Sequence, residues 1–154
     1  MAARARYLVD TNILLRIARP DDPNFPLIRA AFKTFGERGS EGCFSLQNIA
    51  EFWNVCTRPL NRNGFGLTIK EANQRVGYIE RSMTVLPDTE RVYAIWRKLI
   101  LEREVRGVQV HDARLVALML AHGVSQVLTL NHADFLRYPD IEPIHPSQVI
   151  DSGV

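Results

Sequence analysis

Short apolar runs alternate along this chain with stretches whose apolar residues recur every three or four positions. Tyr7-Leu8-Val9 runs straight into Asp10-Thr11-Asn12, after which Ile13-Leu14-Leu15 opens a short helix over 13–19, stopped by Pro20. Asp21 to Asn24 reads as a turn, and Phe25 to Phe35 as a helix ended by Gly36. Cys43-Phe44 is a short strand. Ser45 is placed to cap a helix over 46–57, with Ile49, Phe52, Trp53 and Cys56 at core spacing and Pro59 closing it. Asn61 to Gly66 is the most loop-like stretch of the chain. Thr68 and Glu71 have the spacing of a capping box, which opens a helix to about Arg81.

The second half repeats the alternation. Residues 83–86 form a strand stopped by Pro87, and Asp88 or Thr89 caps a helix to about Glu104 with Val92, Ile95, Trp96 and Leu99 as its buried stripe. His111-Asp112 opens a helix over 113–121, closed by His122-Gly123. Residues 127–130 form the next strand, Asn131 caps a single turn holding Asp134 and Phe135, and 141–144 form an edge strand. Short apolar strands between amphipathic helices predict an α/β fold, a parallel sheet covered on both faces.

Composition narrows this picture. A chain of 154 residues without repeats, linkers or low-complexity tracts reads as one domain, 1–154, and its 46% apolar content suits a soluble globule. No apolar run reaches membrane-spanning length, and the run after Arg4 and Arg6 is too short for a signal peptide, so a cytoplasmic protein with no membrane partner is expected. Cys43 and Cys56 are expected as buried thiols. The net charge of +2 neither demands nor excludes nucleic acid.

Candidate chemistry lies in acidic residues at the ends of these elements. Asp10 ends the first strand, Glu51 sits in the helix after the second, Asp112 begins the helix before the fourth, and Asp134 follows that strand. Each has an ordinary reading beside it. Asp10 can cap the next helix, Glu51 can face solvent, and Asp112 and Asp134 suit the first turn of a helix without further purpose. What they share is one end of one sheet, where open α/β sheets place their ligands. Clustered carboxylates repel one another, and a hard divalent cation removes the conflict. Oxygen ligands without cysteine point to Mg2+ or Mn2+ rather than zinc, and to phosphodiester hydrolysis.

With those residues in place, the chain resembles the PIN-domain ribonucleases, and most of all the VapC-type toxins of VapBC toxin–antitoxin pairs. The likeness rests on Leu8-Val9-Asp10-Thr11-Asn12, Asn48-Ile49-Ala50-Glu51-Phe52, Asp112-Ala113-Arg114-Leu115-Val116-Ala117, and the run from Leu128 through Asn131 to Asp134-Phe135. The four pieces follow in family order; residues 60–107 carry no diagnostic motif. The resemblance implies a three-layer α/β/α fold with a central parallel sheet of four or five strands. It implies that Asp10, Glu51 and Asp112 bind the principal metal and that Asp134 completes the acidic pocket, through water or a second ion. Thr11, Asn12, Thr129 and Asn131 would support the acidic loops. The expected reaction is in-line attack by metal-activated water on RNA, leaving a 5′-phosphate and a 3′-hydroxyl. A homodimer and a cognate antitoxin are the expected partners. Arg16, Arg58, Arg62 and Arg114 are candidate RNA contacts, each with ordinary surface exposure as its alternative, and Asn61 to Gly66 is a candidate mobile rim. His111 and His132 adjoin the acids and are candidates for local or outer contacts. Trp53 and Trp96 fall in apolar helical stripes and are expected in core or interface packing.

Other readings fit less well. A phosphotransferase resembling the haloacid dehalogenases needs a second aspartate where Asn12 stands. A response-regulator receiver needs a late lysine, and lysines occur only at 33, 70 and 98. There is no glycine-rich phosphate loop. A non-catalytic PIN-like module that binds RNA or protein remains the alternative to an enzyme.

Overall fold

In the computed structural model, which describes residues 4–151, five strands form one parallel sheet. They are β1 (Arg6–Val9), β2 (Glu41–Phe44), β3 (Thr84–Val85), β4 (Gln126–Leu128) and β5 (Glu142–Ile144), in the order β3-β2-β1-β4-β5. The chain moves outward from β1 to β3 on one side and then crosses back to lay β4 against β1's other edge. The crevice between the carboxyl ends of β1 and β4 is therefore the topological switch point. Both Asp10 and Thr129 emerge there.

Residues along each strand alternate between two cores, as period-two geometry requires. Leu8, Cys43 and Val127 face one core, covered by α5 (Glu90–Glu102) and α6 (Gln109–Ala121). Val9, Phe44 and Leu128 face the other, covered by α1 (Thr11–Ile17), α2 (Phe25–Arg38), α3 (Leu46–Thr57), α4 (Ile69–Ser82) and the terminal α7 (Pro146–Asp151). The result is the three-layer α/β/α architecture. Both cysteines are free and buried, and burial raises both thiols, Cys56 to about 11, so they stay protonated. No helix among the described residues is long and apolar enough to cross a membrane.

Local signals held where the chemistry was local. Thr68 and Glu71 make both bonds of a capping box at the start of α4. Elsewhere the structure corrects the expectation. α2 runs through Gly36 and stops at Gly39, whose φ of +68° supplies the left-handed exit that glycine adopts without strain. α6 begins at Gln109, so Asp112 lies at its fourth residue instead of at its entrance. β3 spans only two residues, and α7 forms where the sequence reading assigned nothing.

The stretch 61–66 is docked, not free. Phe65 and Leu67 donate backbone N–H groups to Val55 and Cys56, satisfying carbonyls that the end of α3 leaves unpaired. Gly64 and Gly66 donate to Pro59 and Arg58. At Gly64 the backbones come so close that a Cβ would lie 1.9 Å from the Arg58 carbonyl oxygen. This loop is a stitched cap on α3, which argues against the mobile rim expected from its composition.

Candidate metal centre

Asp10 ends the β1 ladder by donating its backbone N–H to Leu128 across the sheet, at 3.0 Å. Its carboxylate then serves two ends at once. Oδ1 accepts from the Thr11 N–H at 2.8 Å, which caps α1. Oδ2 accepts from the Thr129 hydroxyl at 2.8 Å and from Asn12 Nδ2 at 3.3 Å. Cap and site are the same group. Thr129 spends its one proton on Asp10 and accepts the Asn131 N–H at 2.9 Å. Asn12 reaches the same segment, taking the Leu130 N–H on Oδ1 at 3.3 Å. Asn131 thus contributes its backbone; its side chain makes no capping bond to the turn over His132–Phe135, contrary to expectation.

Glu51 is half-buried and both of its oxygens are held, so it does not simply face solvent. Ser45 caps α3 with Asn48 as its reciprocal partner, an asparagine in the place where glutamate or glutamine is usual. The pairing leaves Asn48 Nδ2 free to donate to the Thr11 hydroxyl at 3.1 Å. Thr11 passes its own proton to Glu51 Oε2 at 2.9 Å. Gln47, one turn before Glu51, donates Nε2 to Glu51 Oε1 at 2.8 Å and to the His111 carbonyl at 2.9 Å. Among the described residues, the buried polar side chains are Thr11, Ser45, Gln47, Asn48 and Thr129. All five belong to this one network. Buried polar groups are costly unless paired, so their concentration marks where the fold departs from pure packing.

Asp112 and Asp134 approach from the other side. Asp112 is half-buried at the first turn of α6, and Asp134 is exposed in the short turn after β4. Burial holds Asp112 well above the usual carboxylate range, at about 6, and the charges of Asp134, Asp10 and Glu51 push the same way; His111 opposes them. Burial also raises Asp10, with Glu51 and Asp134 adding to it, against the lowering effect of the Thr129 and Thr11 hydrogen bonds. The other three acids therefore bear on Asp112, and Glu51 and Asp134 bear on Asp10. The ion pairs found among the described residues are Arg19–Asp21, Lys98–Glu102 and Arg114–Asp88, and none of them reaches the four.

This donor set fits a hard divalent cation: carboxylate oxygens, mutually repelling, with no side-chain cation paired to them. Among the described residues no group of three or more acidic, histidine or cysteine side chains stands ready to hold one ion together. The three-carboxylate ligand set of Asp10, Glu51 and Asp112 that the resemblance implies is therefore not assembled around one point.

The basic candidates divide. Arg16 donates to the Asn12 carbonyl at 3.3 Å, and Arg58 to the Asn63 carbonyl at 2.9 Å, each with a buried Nε that has no partner. Arg62 is exposed. Arg114 pairs with Asp88 at 3.0 Å, two residues beyond Asp112 and on another face of α6. Trp96 packs half-buried and donates Nε1 to the Val110 carbonyl at 2.9 Å, tying α5 to the start of α6. Sequence reasoning missed Gln47, and it missed Asn48 as a link to Thr11. The signal for Gln47 was its place four residues before Glu51, one helical turn away.

The family model described as "PIN domain" matches residues 7–141. No curated protein matches by sequence. Among solved structures, VapBC2 from Rickettsia felis bound to a promoter DNA fragment aligns at a TM-score of 0.70 and 12% identity, covering 91% of this chain and 98% of that one. FitAcB from Neisseria gonorrhoeae aligns at 0.64 and 22%, covering 92% and 98%. Mycobacterium tuberculosis VapC20, a toxin that cleaves the sarcin–ricin loop, aligns at 0.58 and 16%, covering 79% and 86%. At these identities the likeness is one of fold, and it agrees with the family match over nearly the whole chain. The protein belongs to the PIN domain family.

Proposed function

We propose that this chain is a divalent-metal-dependent ribonuclease, the toxin of a type II toxin–antitoxin pair, acting in the cytoplasm as one domain over 1–154. The observation that carries the reading is that the charges of Asp134, Asp10 and Glu51 all bear on Asp112 at the carboxyl edge of the sheet, where none of the ion pairs among the described residues reaches these acids. Asp10, Glu51 and Asp112 would hold Mg2+ or Mn2+, and Asp134 would complete the pocket. When bound, such an ion stabilises charge on a scissile phosphate and lowers the pKa of water.

The chain's own residues prepare this. Thr129, Asn12 and the Thr11 N–H keep the Asp10 carboxylate aimed, while Thr11 and Gln47 fix Glu51. An acidic pocket repels RNA, so the strand needs positive charge at its rim; Arg16, Arg58, Arg62 and Arg114 are the candidates, through phosphate contacts that position without reading sequence. Supporting the antitoxin partner are fold relatives solved as VapBC2 on its promoter DNA and as a toxin–antitoxin complex from Klebsiella pneumoniae. An apolar groove of about 510 Å³, lined by Leu14, Ile17, Phe25, Phe52 and Ile79 with Arg75 at its rim, offers such a partner a seat. A homodimer completes the reading.

The test is cleavage of end-labelled single-stranded RNA with Mg2+, Mn2+ or EDTA, beside Asp10→Asn and Asp112→Asn. Metal-dependent cutting by wild type alone supports the nuclease. No cutting, together with no Mn2+ binding at millimolar metal, leaves a non-catalytic binding module.

A further inference from the structure

Gln47 is only 8% exposed, yet its Oε1 has no hydrogen-bond partner. The amide cannot be turned over to relieve this. Both groups facing Nε2 are acceptors, the Glu51 carboxylate and the His111 carbonyl, and a flip would set oxygen against oxygen at each. An orphaned buried oxygen costs free energy, and an apolar side chain of the same length would avoid that cost.

The position explains why the amide is there. α3 and α6 lie on opposite faces of the sheet, and Gln47 reaches over its carboxyl edge from one to the other. Its two bonds join the Glu51 carboxylate to the backbone one residue before Asp112. A neutral amide fixes a carboxylate without cancelling its charge, whereas a lysine or arginine there would neutralise the site and compete with a cation. We infer that Gln47 is a positioning residue of the metal centre: it holds Glu51 and the start of α6 at one spacing. The inference rests on the metal-site reading above.

Gln47→Met keeps length and volume and removes the donor. Mn2+ affinity, measured by calorimetry on the whole chain, is expected to fall about 10- to 100-fold, the usual effect of losing a partner that orients a ligand. Folding is checked in the same samples by circular dichroism. Equal Mn2+ affinity in a folded variant overturns the role of Gln47. Absence of Mn2+ binding by wild type overturns the metal site itself, and the inference with it. Should the variant not fold, nitrogen-15 spectra of wild type decide. Both Gln47 side-chain amide protons are expected to exchange slowly and to shift on Mg2+ titration; exchange at the rate of free glutamine, or no shift, overturns the inference.

Discussion

Two of the four acids are gripped and two are not. Asp10 and Glu51 stand at the end of a strand and inside a capped helix, and every one of their carboxylate oxygens accepts at least one hydrogen bond. Asp112 and Asp134, among the described residues, carry no hydrogen bond at their carboxylates; they meet the others through charge. The difference teaches how such a centre is assembled. One half is preorganised by buried polar side chains, so it loses little freedom on binding. The other half is kept under repulsion, which a cation relieves. In the metal site proposed above, affinity would come from rigidity on one side and from relief of charge on the other.

That division can be broken from either side. Asp10→Asn removes the group shared by cap, strand end and site, and RNA cleavage is expected to drop to background while α1 keeps an asparagine cap; cleavage gels beside circular dichroism check this. Thr129→Val takes away the hydroxyl donor to Asp10 Oδ2, and Mn2+ affinity is expected to fall about 10- to 100-fold, read by calorimetry. Asp134→Asn touches only the loosely held half and is expected to cost less, within about 10-fold in the same titration; a loss as large as that of Thr129→Val would erase the distinction between halves.

The smallest effect is the sharpest. Asp112 is raised in the folded protein to about 6 from its ordinary 3.8, so the folded state prefers it protonated. Its contribution to stability is then favourable below pH 3.8 and is lost as pH rises through 6. At pH 7 without metal, Asp112→Asn is expected to raise the thermal midpoint by roughly 2–4 °C, the change that about 1 kcal/mol makes in a chain of this size. The gain should shrink as pH is lowered from 7 to 5 and vanish or reverse when Mg2+ is added to wild type. A gain independent of pH would place the cause in packing instead of charge.

Much of this was legible in the residues. The three apolar positions before Asp10, the Ser45 cap and the Thr68–Glu71 box are local patterns, and they fixed elements to within a few residues. Asp10 follows β1 as its run of apolar residues implied, because a strand end is defined locally. What stayed hidden is non-local. Thr129 bonds Asp10 across 119 positions and Asn48 bonds Thr11 across 37, and no periodicity carries such pairings. Composition misled at Asn61 to Gly66, where glycine reads as freedom; at Gly64 it marks the reverse, a backbone pressed against Arg58 too closely for any side chain. The passage of α2 through Gly36 has the same lesson, since a glycine stops a helix only where the chain needs a left-handed turn.

The strand order bears on how the chain comes into being. β1 is made before its neighbour β4, which lies almost 120 residues later, and Asp112 and Asp134 bracket that neighbour. Synthesis runs from the N-terminus at about 5–20 residues per second, and pairing of distant strands is the slow part of folding. A growing chain therefore holds Asp10 and Glu51 for several seconds with nothing to complete them. The acidic pocket closes only once β4 and the turn after it have been made, so in the nuclease proposed above a chain that stops short of them would hold an incomplete set of acids.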